Sequence, residues 1–185
     1  GNFLSNFKHD YKFISNKVLE LIKNNEDKVV KNNREIFLQI EKAFTKISEK
    51  KLKLINAYDQ ESDEFYITGQ EINWLSKNDT DNWLKYLLYR YKFKILPLKK
   101  VVTEFPQYVL IEPVSICNLR CVMCFQVDKS FSSNKAINGF IPIKLFKNII
   151  DQIEENSCNA ITLASRGEPT LHKEFDKISK IVADS

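Results

Sequence analysis

Apolar side chains recur every three or four positions through much of the first hundred residues, the spacing that gathers them on one face of an α-helix. Between residues 8 and 24 the recurring positions are Tyr11, Ile14, Val18, Leu21 and Ile22. Between 29 and 56 they are Phe37, Ile40, Phe44, Ile47 and Ile55, with Lys and Glu between them. The 37, 40, 44, 47 spacing is heptad-like, but Lys51 interrupts it early, so the pattern predicts a helical hairpin and not a coiled coil. Residues 57–70, with Asp59, Glu61, Asp63, Glu64 and Gly69, read as a loop, within which Phe65-Tyr66-Ile67-Thr68 has the composition of a short strand. A third helix is predicted over 81–93. Asp79 or Thr80 can cap it, and Trp83, Leu84, Leu87, Leu88 and Tyr91 line one side.

Pro97 and Pro106 punctuate the chain and place a domain boundary near 96–106, dividing it into residues 1–100 and 101–185. Beyond it the period changes. Residues 108–114 (Tyr-Val-Leu-Ile-Glu-Pro-Val) form a compact, β-branched run of strand length. Residues 127–140 are polar and read as loop. Pro142 can open a helix in which Leu145, Ile149 and Ile153 share a face with Phe146 and Ile150. Ala160-Ile161-Thr162-Leu163-Ala164 reads as a second buried strand, closed by the turn Ser165-Arg166-Gly167-Glu168-Pro169. A helix over 172–183 then turns Phe175, Ile178 and Ile181 inward. Strands alternating with helices imply a parallel sheet, so the second region is expected to be α/β, behind a helical N-terminal region.

Composition narrows the function classes. Of 185 residues, 43% are hydrophobic and 28% charged, enough apolar material for a core. The formal net charge of +4 is the sum of +5 in residues 1–100, where 19 Lys and Arg face 14 Asp and Glu, and −1 in residues 101–185, so the basic excess lies in the first region. That excess is mild and interleaved with acids, so it reads as solvated helix faces, and no nucleic-acid partner is expected. No stretch approaches the length of a membrane span, and no basic segment followed by an apolar run marks a secretory signal at the start. Three of the four cysteines fall within eight residues, unlike the dispersed cysteines of a secreted disulfide scaffold. A cytoplasmic, reducing location is expected.

Those three cysteines read Cys117-Asn-Leu-Arg-Cys121-Val-Met-Cys124, on a loop directly after the first predicted strand. Three thiolates on such a loop can converge on a metal centre. A structural zinc site takes four protein ligands. Cys158, His9 and His172 could supply a fourth, but none stands at finger-like spacing. Three cysteines with an open position suit a 4Fe–4S cluster whose last iron takes an outside ligand.

The C-x3-C-x2-C spacing after a strand resembles the radical S-adenosylmethionine (radical SAM) superfamily. Arg166-Gly167-Glu168-Pro169-Thr170, after the second strand, resembles that family's "GGEP" motif. The resemblance implies that Cys117, Cys121 and Cys124 ligate a 4Fe–4S cluster and that S-adenosylmethionine chelates the fourth iron. It implies that Met123, at a position usually bulky or aromatic, packs near the adenine, and that Gly167, Glu168 and Pro169 hold the methionine amino end. A 5′-deoxyadenosyl radical would abstract hydrogen from a substrate the sequence does not name, with no side chain assigned a catalytic role. An external reductant such as flavodoxin or ferredoxin is implied too. The implied fold is an incomplete (β/α) partial barrel, its first two β/α units in 101–185, as part of a longer enzyme. Arg166 departs from the family's first glycine, and Met123 from its aromatic residue.

Plainer readings stand beside these. Glu168 can be a turn residue, Cys158 a small buried hydrophobe, His172 structural, and Asp128 and Lys129 surface loop. Arg120 can pair with a cluster sulfide or a carboxylate, or face water. For the whole chain the alternatives are a non-catalytic iron–sulfur binding or electron-transfer module, and a zinc-stabilised interaction protein.

Overall fold

A computed structural model describes residues 3–24, 28–48, 64–134 and 136–185. The chain divides into two compact units, Gly1–Val102 and Thr103–Ser185.

The first unit is helical. Helix α1 (Phe3–Lys23) packs on α3 (Arg34–Ser48), with the short α2 (Lys28–Asn32) between them in sequence. Ile14, Val18 and Ile22 of α1 and Phe37, Ile40 and Phe44 of α3 are buried together, and Tyr11, Leu21 and Ile47 pack at the margin. The single helix expected over 29–56 is broken at Asn33. There the side-chain amide donates to the Val29 carbonyl (3.0 Å), taking an acceptor that a continuous helix would use. Ile55, Asp59, Glu61 and Asp63 lie outside the described residues.

Residues 65–68 form no strand. They are an extended lead into α4 (Gly69–Lys77), a helix the periodicity does not predict. A capping box starts it: the Thr68 N–H and hydroxyl both donate to Glu71 Oε2, at 2.7 and 3.0 Å. A 3₁₀ turn (Thr80–Asn82) precedes α5 (Trp83–Ile95), and neither Asp79 nor Asn82 caps through its side chain. Trp74 of α4 stacks on Tyr86 of α5 with ring centres 3.8 Å apart.

Glu71 is 1% exposed. Its Oε1 receives Arg90 Nε at 2.7 Å and Lys94 Nζ at 2.5 Å, and Lys94 also donates to the Tyr66 carbonyl (3.1 Å). One carboxylate thus joins α4, α5 and the segment ahead of α4. Burial pushes the Glu71 carboxyl up, but Lys94, Thr68 and Arg90 together outweigh it and hold it below its ordinary value. Burial likewise pushes the Lys94 ammonium down, against the pull of Glu71.

In the second unit, β1 (Val109–Leu110) pairs in parallel with β2 (Ile161–Thr162), Val109 opposite Ile161 and Leu110 opposite Thr162. Helix α7 (Ile143–Glu155) lies between the strands in sequence, and α8 (Phe175–Asp184) follows β2. Phe146, Ile150 and Ile153 of α7 and Ile178 of α8 cover the sheet face formed by Val109, Ile111, Ile161 and Leu163. Leu145, expected on that face, is exposed, and Pro142 caps α7 from just outside. Leu110 and Tyr108 remain exposed. A short α6 (Lys129–Ser132) stands in the expected loop, started by Asp128 accepting from the Ser130 N–H.

The expected partial barrel is corrected by these observations. Among the described residues the chain is mostly helical, with two short parallel strands and no further strand for them to curve toward. Both runs expected as strands, 108–114 and 160–164, pair over two residues only. Pro113 offers no N–H to a ladder, and Val114 bridges instead to Phe140. Among the described residues no helix is long and apolar enough to cross a membrane.

Trp74 and Trp83 both lie in the first unit, so tryptophan fluorescence reports its unfolding. Glu71→Ala leaves the buried Lys94 ammonium and the half-buried Arg90 guanidinium without their carboxylate and should cost this unit about 3–5 kcal/mol, read as a lower urea midpoint. A loss below about 1 kcal/mol, as for a surface pair, would show that water replaces the carboxylate. Because the folded carboxyl titrates below its ordinary value of 4.5, its contribution is complete above that pH and is lost as pH falls below it. Acidification should therefore destabilise the wild-type unit more steeply than Glu71→Gln.

Candidate metal and cofactor site

The cysteines sit on residues 117–124, an irregular segment between β1 and a 3₁₀ turn (Phe125–Val127). Cys117 and Cys124 are half-buried, Cys121 is exposed, and none is in a disulfide. The Cys124 N–H donates to the Cys121 carbonyl at 2.9 Å, so these two residues close one tight turn. Arg120 folds back onto its own loop, with Nη1 donating to the Leu119 carbonyl (2.8 Å) and the Cys117 carbonyl (3.3 Å). It therefore braces the backbone that carries the thiols. Among the described residues no three His, Cys, Asp or Glu side chains gather closely enough to hold a metal ion. The donor set itself, three reduced thiols on one irregular loop, fits a cluster with three thiolate ligands. Leu119, Val122 and Met123 stand exposed around the thiols, Met123 at 86%.

The turn after β2 lies against the base of this loop. A Cβ on Gly167 would fall 1.8 Å from the Val114 carbonyl oxygen and 3.0 Å from that of Ile116. Glycine is required here for close approach to another backbone stretch. Its φ is not positive, and neither is that of Arg166. The position where the family's pattern has its first glycine thus accepts a side chain.

Arg166 uses that side chain. Its Nε and Nη2 grip Glu112 in a two-pronged pair at 2.9 and 2.8 Å, while its backbone N–H donates to Glu112 Oε2 at 2.9 Å. Burial raises the Glu112 carboxyl, but Arg166 and Ser165 outweigh it and hold it low. This pair ties the end of β1 to the turn after β2. The Glu168 N–H donates to the Ile116 carbonyl (3.0 Å), one residue before Cys117. The Glu168 carboxylate accepts from the Thr170 hydroxyl (2.7 Å) and N–H (3.2 Å), which lowers its pKa and caps the 3₁₀ turn Pro169–Leu171.

Gln126 is 4% exposed, and its Nε2 donates to the carbonyls of Ser115 (2.9 Å) and Arg166 (3.1 Å). The structure therefore brings the cysteine loop and Gly167-Glu168-Pro169 together, while the Met123 side chain on that loop is exposed to solvent. Cys158 packs with the α7–α8 core, its thiol 3.6 Å from the Ala160 carbonyl. His172 is buried. Its Nδ1 accepts the Glu174 N–H (3.1 Å), so Nε2 carries the proton and donates to the Ile141 carbonyl (2.9 Å). Sequence reasoning missed Glu112, Gln126 and the use made of Arg166. Only the unexplained arginine in a glycine position hinted at the pair.

Compared with protein-family models, curated proteins and solved structures, the chain finds no match.

Gly167→Ala should cost more than the about 1–3 kcal/mol of ordinary overpacking, because the clash is with backbone and cannot be relieved by a rotamer change. Faster amide exchange across residues 109–116 and 161–168 would register it. Unchanged exchange there would show that the turn has room to move.

Proposed function

We propose that this chain belongs to a radical SAM enzyme, with Cys117, Cys121 and Cys124 holding a 4Fe–4S cluster and the turn of Gly167, Glu168 and Pro169 contributing to the S-adenosylmethionine site. One observation carries the reading. The three-cysteine loop and the Gly-Glu-Pro turn, 43 residues apart from Cys124 to Gly167, are held together by hydrogen bonds at their flanks, from the Glu168 N–H to Ile116 just before the loop and from Gln126 just after it to Arg166. Held by Cys117, Cys121 and Cys124, the cluster would supply the electron for reductive cleavage of S-adenosylmethionine to methionine and a 5′-deoxyadenosyl radical, which would take a hydrogen atom from substrate. The chain's own residues have simpler tasks. The thiols ligate as thiolates. Arg120 braces their loop. Glu112 and Arg166 fix the turn, whose Glu168 carboxylate offers a negative group to a ligand's ammonium. Met123, already exposed beside Cys124, is available to pack on an adenine ring. An external reductant such as flavodoxin or ferredoxin, and a reducing cytoplasm in keeping with four unpaired cysteines, belong to the same proposal.

A second reading, a cluster-bearing electron-transfer module without radical chemistry, draws on the Glu168 carboxylate being engaged by Thr170. The two separate in one experiment. Protein reconstituted anaerobically with iron and sulfide should take up about four of each per chain. Its dithionite-reduced paramagnetic resonance signal should change on adding S-adenosylmethionine. A cluster indifferent to S-adenosylmethionine supports the electron-transfer module, and zinc without sulfide would sink both readings. Cys117→Ala, Cys121→Ala and Cys124→Ala should each abolish cluster uptake, while Cys158→Ala should leave it intact.

A further inference from the structure

Gln126 is buried between two exposed apolar neighbours, Phe125 and Val127, each 48% exposed. Hydrophobicity alone would place the three the other way round. Burying a primary amide is unfavourable unless its hydrogen bonds are made. Here one NH₂ group satisfies two carbonyls on separate stretches of chain. Ser115 lies two residues before Cys117, and Arg166 lies immediately before Gly167. Gln126 itself lies two residues after Cys124. The amide therefore closes the mouth of the cysteine loop and fastens the turn to that closure.

Both acceptors are fixed from elsewhere. The Ser115 N–H donates to the Gly139 carbonyl (3.1 Å), and the Gly139 N–H returns a bond to Ser115 Oγ (2.8 Å). Arg166 is held by Glu112 through backbone and guanidinium. Gln126 thus joins two anchored stretches to the end of the loop, where Cys124 sits. Two donors on one planar group are needed for this. A carboxylate offers none, and an aliphatic side chain of equal size leaves both carbonyls without this partner.

We propose that Gln126 is a positioning residue that sets Cys124 against the Gly167-Glu168-Pro169 turn, so that loop and turn act on a single ligand. The proposal rests on the reading given under Proposed function and deepens it, assigning the register between the two halves of the site to a side chain that ligates nothing itself.

The test compares wild-type protein with Gln126→Met, which keeps the volume and loses both donors, and with Gln126→Asn, which keeps the amide on a shorter stem. Three quantities are read: iron and sulfide content, the S-adenosylmethionine concentration that half-converts the reduced-cluster signal, and amide exchange at Glu168 in the cluster-free chain. All three thiols remain in the variants, so cluster content should stay at the wild-type level. The half-conversion concentration should rise about 10–100-fold, the range for residues that orient a metal site from behind its ligands. Exchange at Glu168 should quicken about tenfold as the turn loosens from Ile116. A merely structural role would instead lower cluster content in step with affinity, and that result overturns the proposal. Wild-type affinity in both variants overturns it as well. If one variant fails to fold, the other carries the comparison. If the wild-type protein takes up no cluster, the reading under Proposed function fails, and unchanged exchange at Glu168 would then overturn the coupling of loop and turn separately.

Discussion

Where Gly167 passes Val114, the two backbones lie too close for any Cβ between them. The arrangement of the second unit depends on that approach. It lays the turn after β2 across the continuation of β1, past the point where Pro113 ends the ladder. From there side chains and turn amides take over the pairing: Glu112 with Arg166, Gln126 with Ser115 and Arg166, and the Glu168 N–H with Ile116. Two residue pairs of parallel strand would be a weak join by themselves. These further bonds extend it to the first cysteine, so the loop and the turn share one base.

Both units bury polar side chains with their partners made, but they differ in what they leave exposed. The first buries a carboxylate, surrounds it with two cations and a capping bond, and sets this group beside a helical core that is mostly apolar. Such a network orients α4 on α5 because each partner left alone would be costly. The second unit exposes Leu119, Val122 and Met123 beside three thiols, on a loop that is anchored at its ends and carries little of its own core. On the proposed reading, ligand takes the place that core residues would otherwise fill.

Much of the helical framework was legible in the sequence. The stripes of Ile14, Val18 and Ile22 and of Phe37, Ile40 and Phe44 are buried as their spacing predicts, since a helix face is a local property. Helix α4 escaped notice because its start is marked by the Thr68–Glu71 capping box and not by a long apolar stripe. The break at Asn33 turns on a side chain competing for one carbonyl, which periodicity does not register. The parallel pairing of the two β-branched runs was also legible. The barrel read from resemblance was not realised, because the number of strands that join a sheet is decided by what packs beside it and not by the runs themselves.

The sequence by itself determined which chemistry is available: three thiols at C-x3-C-x2-C spacing, a Gly-Glu-Pro turn behind a second apolar run, and a fourth cysteine set apart. It also determined that only glycine could stand at 167 if another backbone were to pass there. Tertiary structure alone decided that the passing backbone is that of Val114, that Arg166 is spent on Glu112, and that Gln126 faces inward while Phe125 and Val127 do not. These outcomes depend on atoms 11 to 54 residues apart in the chain meeting within hydrogen-bonding distance. Hydrogen bonds are short and directional, so a local pattern can supply the donors and acceptors, but only the folded chain selects which of them meet.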